Sequence, residues 1–158
     1  MTAPGPSGAT SCAPLSSGRT ENRLDRKDRV ARLVDHVGNP RHKGVLDGAQ
    51  VVMPGGSPEC GGSVTVYLRG DGNGRIEGVS WTGQGDTISM GSTSIALERV
   101  RDEGLTMNEV LAFDYDALLE EIGRDVIGSR TRHATLGLST LKNAVRKYTR
   151  ERLRSDGV

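Results

Sequence analysis

A chain of 158 residues is the size of one ordinary domain, and 21 Lys and Arg against 20 Asp and Glu leave a formal charge of +1, so whole-chain charge names neither a nucleic acid nor a membrane as partner. Two cysteines, Cys12 and Cys60, are too few for a disulfide-stapled secreted domain and fit a reduced, cytoplasmic compartment. No apolar run reaches the roughly 18 residues a membrane span needs.

In chain order, residues 1–23 are rich in Pro, Gly, Ser, Thr and Ala and nearly lack large apolar side chains. They cannot offset the entropy of ordering, so they read as a disordered tail ahead of one domain over 24–158. The tail also lacks the charged start and apolar core of a secretory signal. A first helix is expected from about Asp25 to His36, with Val30, Leu33, Val34 and Val37 on its apolar side, stopped by Gly38 and Pro40. After the loop Asn39-Pro-Arg-His-Lys-Gly44, Val51-Val52-Met53 reads as a short strand ending at Pro54-Gly55-Gly56. Ser63 to Arg69 alternates strictly and is a half-buried strand with Val64, Val66 and Leu68 inward. Asp71-Gly72-Asn73-Gly74 is a hairpin turn, so Arg75 to Thr82 returns antiparallel with Val79 and Trp81 on one face.

The period then changes to that of a helix. Small and apolar residues from Ile88 to Val100 (Gly91, Ser92, Ile95, Ala96) permit close helix packing, and Gly104 closes the segment. Thr106-Met-Asn-Glu109 is a capping box that opens a helix through Leu111, and Asp114 or Asp116 caps another over Ala117 to Ile122, ended by Gly123. The last helix carries Ala134, Leu138, Leu141, Val145 and Tyr148 as one stripe. Its other face is basic, with Arg130, Arg132, Lys142, Arg146, Lys147, Arg150, Arg152 and Arg154 opposed by Glu151. Strands followed by helices make the fold class α+β.

Three positions offer metal or sulfur chemistry. Cys60 stands in Pro58-Glu59-Cys60-Gly61-Gly62 ahead of a strand, where two glycines leave the sulfur uncrowded, although a lone cysteine also serves as a small buried hydrophobe. Asp86 opens the Ile88 helix and can be its N-cap. His133 begins the last apolar stripe and can equally be a partly solvated helix histidine. Thiolate, carboxylate and imidazole are all ligands for zinc or iron. No phosphate loop, nucleophile elbow or paired-cysteine motif appears, which leaves hydrolase and kinase chemistry without residues.

In order and surroundings these segments resemble the U-type iron-sulfur cluster assembly scaffolds, the IscU, SufU and NifU N-terminal proteins, from roughly Val30 to Tyr148. Asn39-Pro-Arg-His-Lys-Gly44 resembles their Asn-Pro-Arg-Asn-x-Gly motif, and Pro58-Glu-Cys60-Gly their first cysteine motif. Gly85-Asp86-Thr-Ile-Ser-Met-Gly-Ser-Thr-Ser94 is similar to Gly-Cys-x-Ile-Ser-x-Ala-Ser-x-Ser, and Arg132-His133-Ala-Thr-Leu136 to Lys-Cys-Ala-Thr-Leu. The resemblance implies a small antiparallel sheet of about three strands packed on helices with a long C-terminal helix, as in SufE/NifU-like domains.

It also implies an altered ligand set. The family's site has three cysteines and an aspartate two residues after the first. Here Cys60 keeps the first place, Gly62 stands at the aspartate, Asp86 at the second cysteine and His133 at the third. A site at Cys60, Asp86 and His133 is the implied place for an iron-sulfur cluster or iron, or alternatively zinc. The role implied is a scaffold or carrier more than an enzyme, with a cysteine desulfurase and cluster-accepting proteins as partners, and self-association into a homo-oligomer is compatible with it. The alternatives are a zinc-dependent sulfur acceptor with sulfur received on Cys60, as the SufU branch suggests, and an interaction protein that keeps only the fold. His36 and His42 replace no family ligand.

Overall fold

The computed structural model describes residues 25–57 and 61–157, the last three of these by backbone alone. The 1–23 tail, Cys12 and Cys60 lie outside the described residues.

Helix α1 (Arg26–Gly38) starts at Asp25, whose carboxylate accepts the Asp28 amide at 2.8 Å and so satisfies one of the donors a helix start leaves open. Its buried residues are Leu33 and His36. Val34 and Val37, expected on the inner face, are exposed instead at 57% and 36%. The stripe that packs is offset because Gly91 lies beneath the helix and accepts Leu33, while Ser94 receives His36 at 2.7 Å. A polar partner in the core outranks two valines on the rim.

The strands β1 (Val51–Ser57), β2 (Gly62–Gly70) and β3 (Ile76–Gly85) form one antiparallel sheet in the order β1-β2-β3. β1 runs through Pro54-Gly55-Gly56 rather than ending there, pairing Val51 with Leu68 and Ser57 with Gly62. β2 alternates as its sequence requires, with Val64, Val66 and Leu68 buried. In the hairpin, Asp71 accepts the Asn73 and Arg75 amides at 2.7 and 3.2 Å. The register slips between Arg69 and Gly70, a local irregularity that increases twist. The Asn39-to-Gly44 loop is laced to β3: Trp81 donates its indole N–H to the Arg41 carbonyl at 2.9 Å and its amide to the His42 carbonyl at 3.0 Å, and Gly44 N–H returns to the Trp81 carbonyl at 2.7 Å.

Helices α2 (Thr87–Asp102), α3 (Met107–Ala112), α4 (Tyr115–Ile122), the single turn α5 (Arg124–Ile127) and α6 (Thr131–Gly157) follow. The capping box at Thr106 and Glu109 is complete, with both reciprocal bonds made. Asp114 caps α4 through the Asp116 amide. α5 carries no sequence signal beyond its flanking glycines. α6 crosses both the sheet and α2, with Ala134, Leu138, Leu141, Val145 and Tyr148 buried as its stripe requires. Lys142 leaves the basic face: only 5% exposed, it donates to the carbonyls of Leu111 and Phe113 at the end of α3 and lies 4.2 Å from the Tyr115 ring centroid.

Two apolar clusters result. One joins the sheet's inner face to α6, α3 and one side of α2 around Trp81, Leu68, Leu97 and Leu141. The other gathers α1, α4 and α5 on the far side of α2 and α6, around Leu33, Ile95, Leu118 and Leu138. The α2 and α6 starts meet where β2 begins and β3 ends, and that corner holds Asp86 and His133. No helix among the described residues is long and apolar enough to cross a membrane.

Candidate functional site

Asp86 holds the extended N-cap backbone of α2, and its Oδ1 accepts the Ser89 amide at 2.8 Å. The capping role open to it in the sequence is therefore real. Its other oxygen, Oδ2, lies 2.7 Å from His133 Nδ1 in the first turn of α6. One carboxylate thus joins a residue that ends the sheet to one that begins the last helix, 47 positions apart.

Gly61 lies against this pair. Its carbonyl accepts the Asp86 amide at 2.9 Å. Its φ is +97°, and a Cβ placed there would stand 2.1 Å from His133 Cε1, closer than any real contact, so only glycine lets the imidazole approach. Gly85 is equally confined, its virtual Cβ 2.6 Å from the Gly61 carbonyl oxygen. Cys60 is the residue before Gly61 in the chain, and its own position lies outside the described residues.

Burial by itself would raise the Asp86 carboxyl, but the bonds from the Ser89 amide and from His133, with help from the Ser89 hydroxyl, hold it below its ordinary 3.8. Asp86 and His133 remain part-open, with side chains 29% and 24% exposed. Arg130 stands at the rim, its Nη1 3.9 Å from Asp86 Oδ2. A cavity of about 280 Å³ opens beside His133, between Gly56, Gly62, Arg132, Leu136 and Ser139. A more open one of about 460 Å³ adjoins Asp86, Gly61 and Gln84.

Among the described residues no group of three or more His, Cys, Asp and Glu side chains is arranged to hold a metal ion. The described part of the expected set is the Asp86–His133 pair. A carboxylate and an imidazole within one hydrogen bond, part-exposed at a cavity mouth, suit zinc or iron chemically, and a thiolate would suit either metal as a further donor. His36 belongs elsewhere: it hydrogen-bonds Ser94 and faces Glu98 Oε1 at 3.5 Å. Sequence reasoning gave Ser89 no role beside Asp86 and placed Arg130 only in the basic run. The Asp86-to-Ser89 spacing signals a cap, whereas nothing in the sequence marks Arg130 as Asp86's neighbour.

A family model described as the NifU-like N-terminal domain matches residues 28–155. The chain is 28% identical over 127 residues to the iron-sulfur cluster assembly scaffold protein IscU 1 of Archaeoglobus fulgidus, covering 80% of each chain. It is 28% identical over 130 residues to the zinc-dependent sulfurtransferase SufU of Bacillus subtilis, covering 73% of this chain and 87% of that one. In fold it is similar to the crystal structure of the N-terminal part of a nitrogen-fixing NifU-like protein from Brucella abortus, at 20% identity and a TM-score of 0.64, covering 80% of this chain and 99% of that one.

Proposed function

The chain belongs to the NifU-like N-terminal domain family, and from that premise we propose that it is an iron-sulfur cluster assembly scaffold-like protein working through Cys60, Asp86 and His133. The observation that supports this reading is the 2.7 Å bond between Asp86 and His133, which joins residues at the family's second and third cysteine positions beside the residue that follows Cys60. Carboxylate and imidazole are harder donors than thiolate. A site that replaces two of three thiolates retains iron or zinc while holding sulfide-bridged iron less firmly than three cysteines would.

In this reading Cys60 receives sulfur from a cysteine desulfurase: its thiolate attacks the outer sulfur of the donor's persulfide, a new S–S bond forms at Cys60, and the donor cysteine leaves as thiolate without net oxidation. Cluster-accepting proteins take the product. Anaerobically purified protein is expected to contain iron with acid-labile sulfide, and Cys60→Ala, Asp86→Ala and His133→Ala are each expected to lose most of it. Unchanged metal in all three variants would sink the proposal.

A second reading, a zinc-dependent sulfur acceptor, is favoured by the likeness to a protein named a zinc-dependent sulfurtransferase. Zinc without sulfide, together with desulfurase-dependent sulfur on Cys60, would select it.

A further inference from the structure

Asp86 is committed twice before any ligand arrives. Oδ1 accepts the Ser89 amide at 2.8 Å and Oδ2 pairs with His133 Nδ1 at 2.7 Å. An ionised carboxylate can only accept, so the proton of the second bond sits on Nδ1. A neutral imidazole carries one N–H, which leaves Nε2 as a bare lone pair. Gly61 leaves room for the ring in that pose, since a Cβ there would lie 2.1 Å from Cε1, 2.6 Å from Nδ1 and 2.8 Å from Nε2. A carboxylate behind an imidazole is the usual means of fixing a ligand histidine's tautomer and orientation.

We infer that Asp86 serves the site as a positioning residue: it holds His133 as the Nδ1–H tautomer and thereby presents Nε2 as the donor to a divalent cation, in place of ligating the cation itself. This rests on the metal-binding reading above, and it divides the labour within it. Of the two described residues of the set, His133 is then the donor and Asp86 its support.

The two oxygens of Asp86 supply a discriminating variant. Asn caps a helix as well as Asp does, and in Asp86→Asn the single oxygen is held by the Ser89 amide. The Asn NH₂ then faces His133 Nδ1 and donates to it, which forces the proton to Nε2 and closes the donor. Long-range ¹⁵N–¹H NMR of the metal-free full chain, recorded at a pH where the nitrogen shifts themselves show a neutral His133 ring, reads this directly. The expected result is an Nδ1–H tautomer for His133 in the parent protein and an Nε2–H tautomer in Asp86→Asn. An Nε2–H tautomer in the parent, or the same tautomer in both, overturns the inference.

Titration with ZnCl₂ against a chelating dye should show Asp86→Asn weaker by about 10–100-fold, the usual loss when a carboxylate behind a ligand histidine is removed. Undiminished zinc affinity in a variant with the flipped tautomer also overturns the inference. Because the tautomer is read without metal, absence of zinc binding by the parent protein would count against the functional reading and leave the test of Asp86 intact.

Discussion

Gly61 and His133 show how one missing side chain sets local chemistry. Alanine at 61 is strained by the +97° φ and collides with the imidazole. Such overpacking costs typically about 1–3 kcal/mol, and relief requires His133 to swing off Asp86. Gly61→Ala is therefore expected to lower the melting temperature and to weaken zinc binding together; a variant with full zinc affinity would show that the approach of ring to backbone is dispensable. His36 makes a separate prediction. Burial pushes this imidazole below its ordinary 6.5, Arg41 and Arg32 push the same way, and Glu98 and Asp35 pull against them. Because the folded value is depressed, the unfolded chain takes up a proton near 6.5 that the folded protein refuses until lower pH. Stability is thus full above the unfolded value and is lost as pH falls through the folded one. Thermal melts between roughly pH 7.5 and 5 should show this decline, and His36→Gln should flatten it; an equal slope in the variant would remove His36 as the cause. In the sequence Asp86 reads as a cap or as a ligand, and both readings draw on one carboxylate. What spacing could not reveal was the bond to His133, which depends on two elements meeting.

At the scale of elements, local chemistry was legible wherever the signal is local. The alternation of β2, the Asp71-to-Gly74 hairpin, the capping box and the stripe of α6 all appear as their residues require. Thr106→Ala removes the acceptor of the Glu109 amide and should lower unfolding free energy by about 1 kcal/mol, with Thr106→Ser retaining most of it; denaturant melts distinguish the two, and equal loss in both would place the effect in the methyl group. The misread elements are those decided by partners. Val34 and Val37 fit an apolar face by period, yet α1 turns toward Gly91 and Ser94. Lys142 fits a basic face by charge, yet the carbonyls at the end of α3 draw it inside, where burial, then the neighbouring Arg146, lowers its ammonium from the ordinary lysine value. Close packing also reverses a propensity rule. Alanine normally stabilises a helix over glycine by about 1 kcal/mol, but at Gly137 a Cβ would meet Thr93 Oγ1 at 2.5 Å, so α2 and α6 touch only because neither glycine nor threonine is larger.

For the molecule as a whole, α2 and α6 each face both apolar clusters, so neither cluster can lose its packing without stripping a wall from the other. The described domain is expected to unfold as one unit. Trp81 is the single tryptophan and is fully buried, which makes its fluorescence a report on the sheet-side cluster, while far-UV circular dichroism follows the helices of both. Coincident denaturant transitions are expected, and separated midpoints would show two independent units. The sheet itself has two margins. Along β3 the loop from Asn39 to Gly44 lies in place of a further strand, with Lys43 bridged to Trp81. Along β1 the strand carries Pro54, which has no amide hydrogen and is tolerated where that amide would face outward, followed by Gly55 and Gly56. A neighbouring chain that tried to extend the ladder would find one margin covered and the other missing a rung, so the same sheet that ends just before Asp86 is a poor template for fibrillar aggregation.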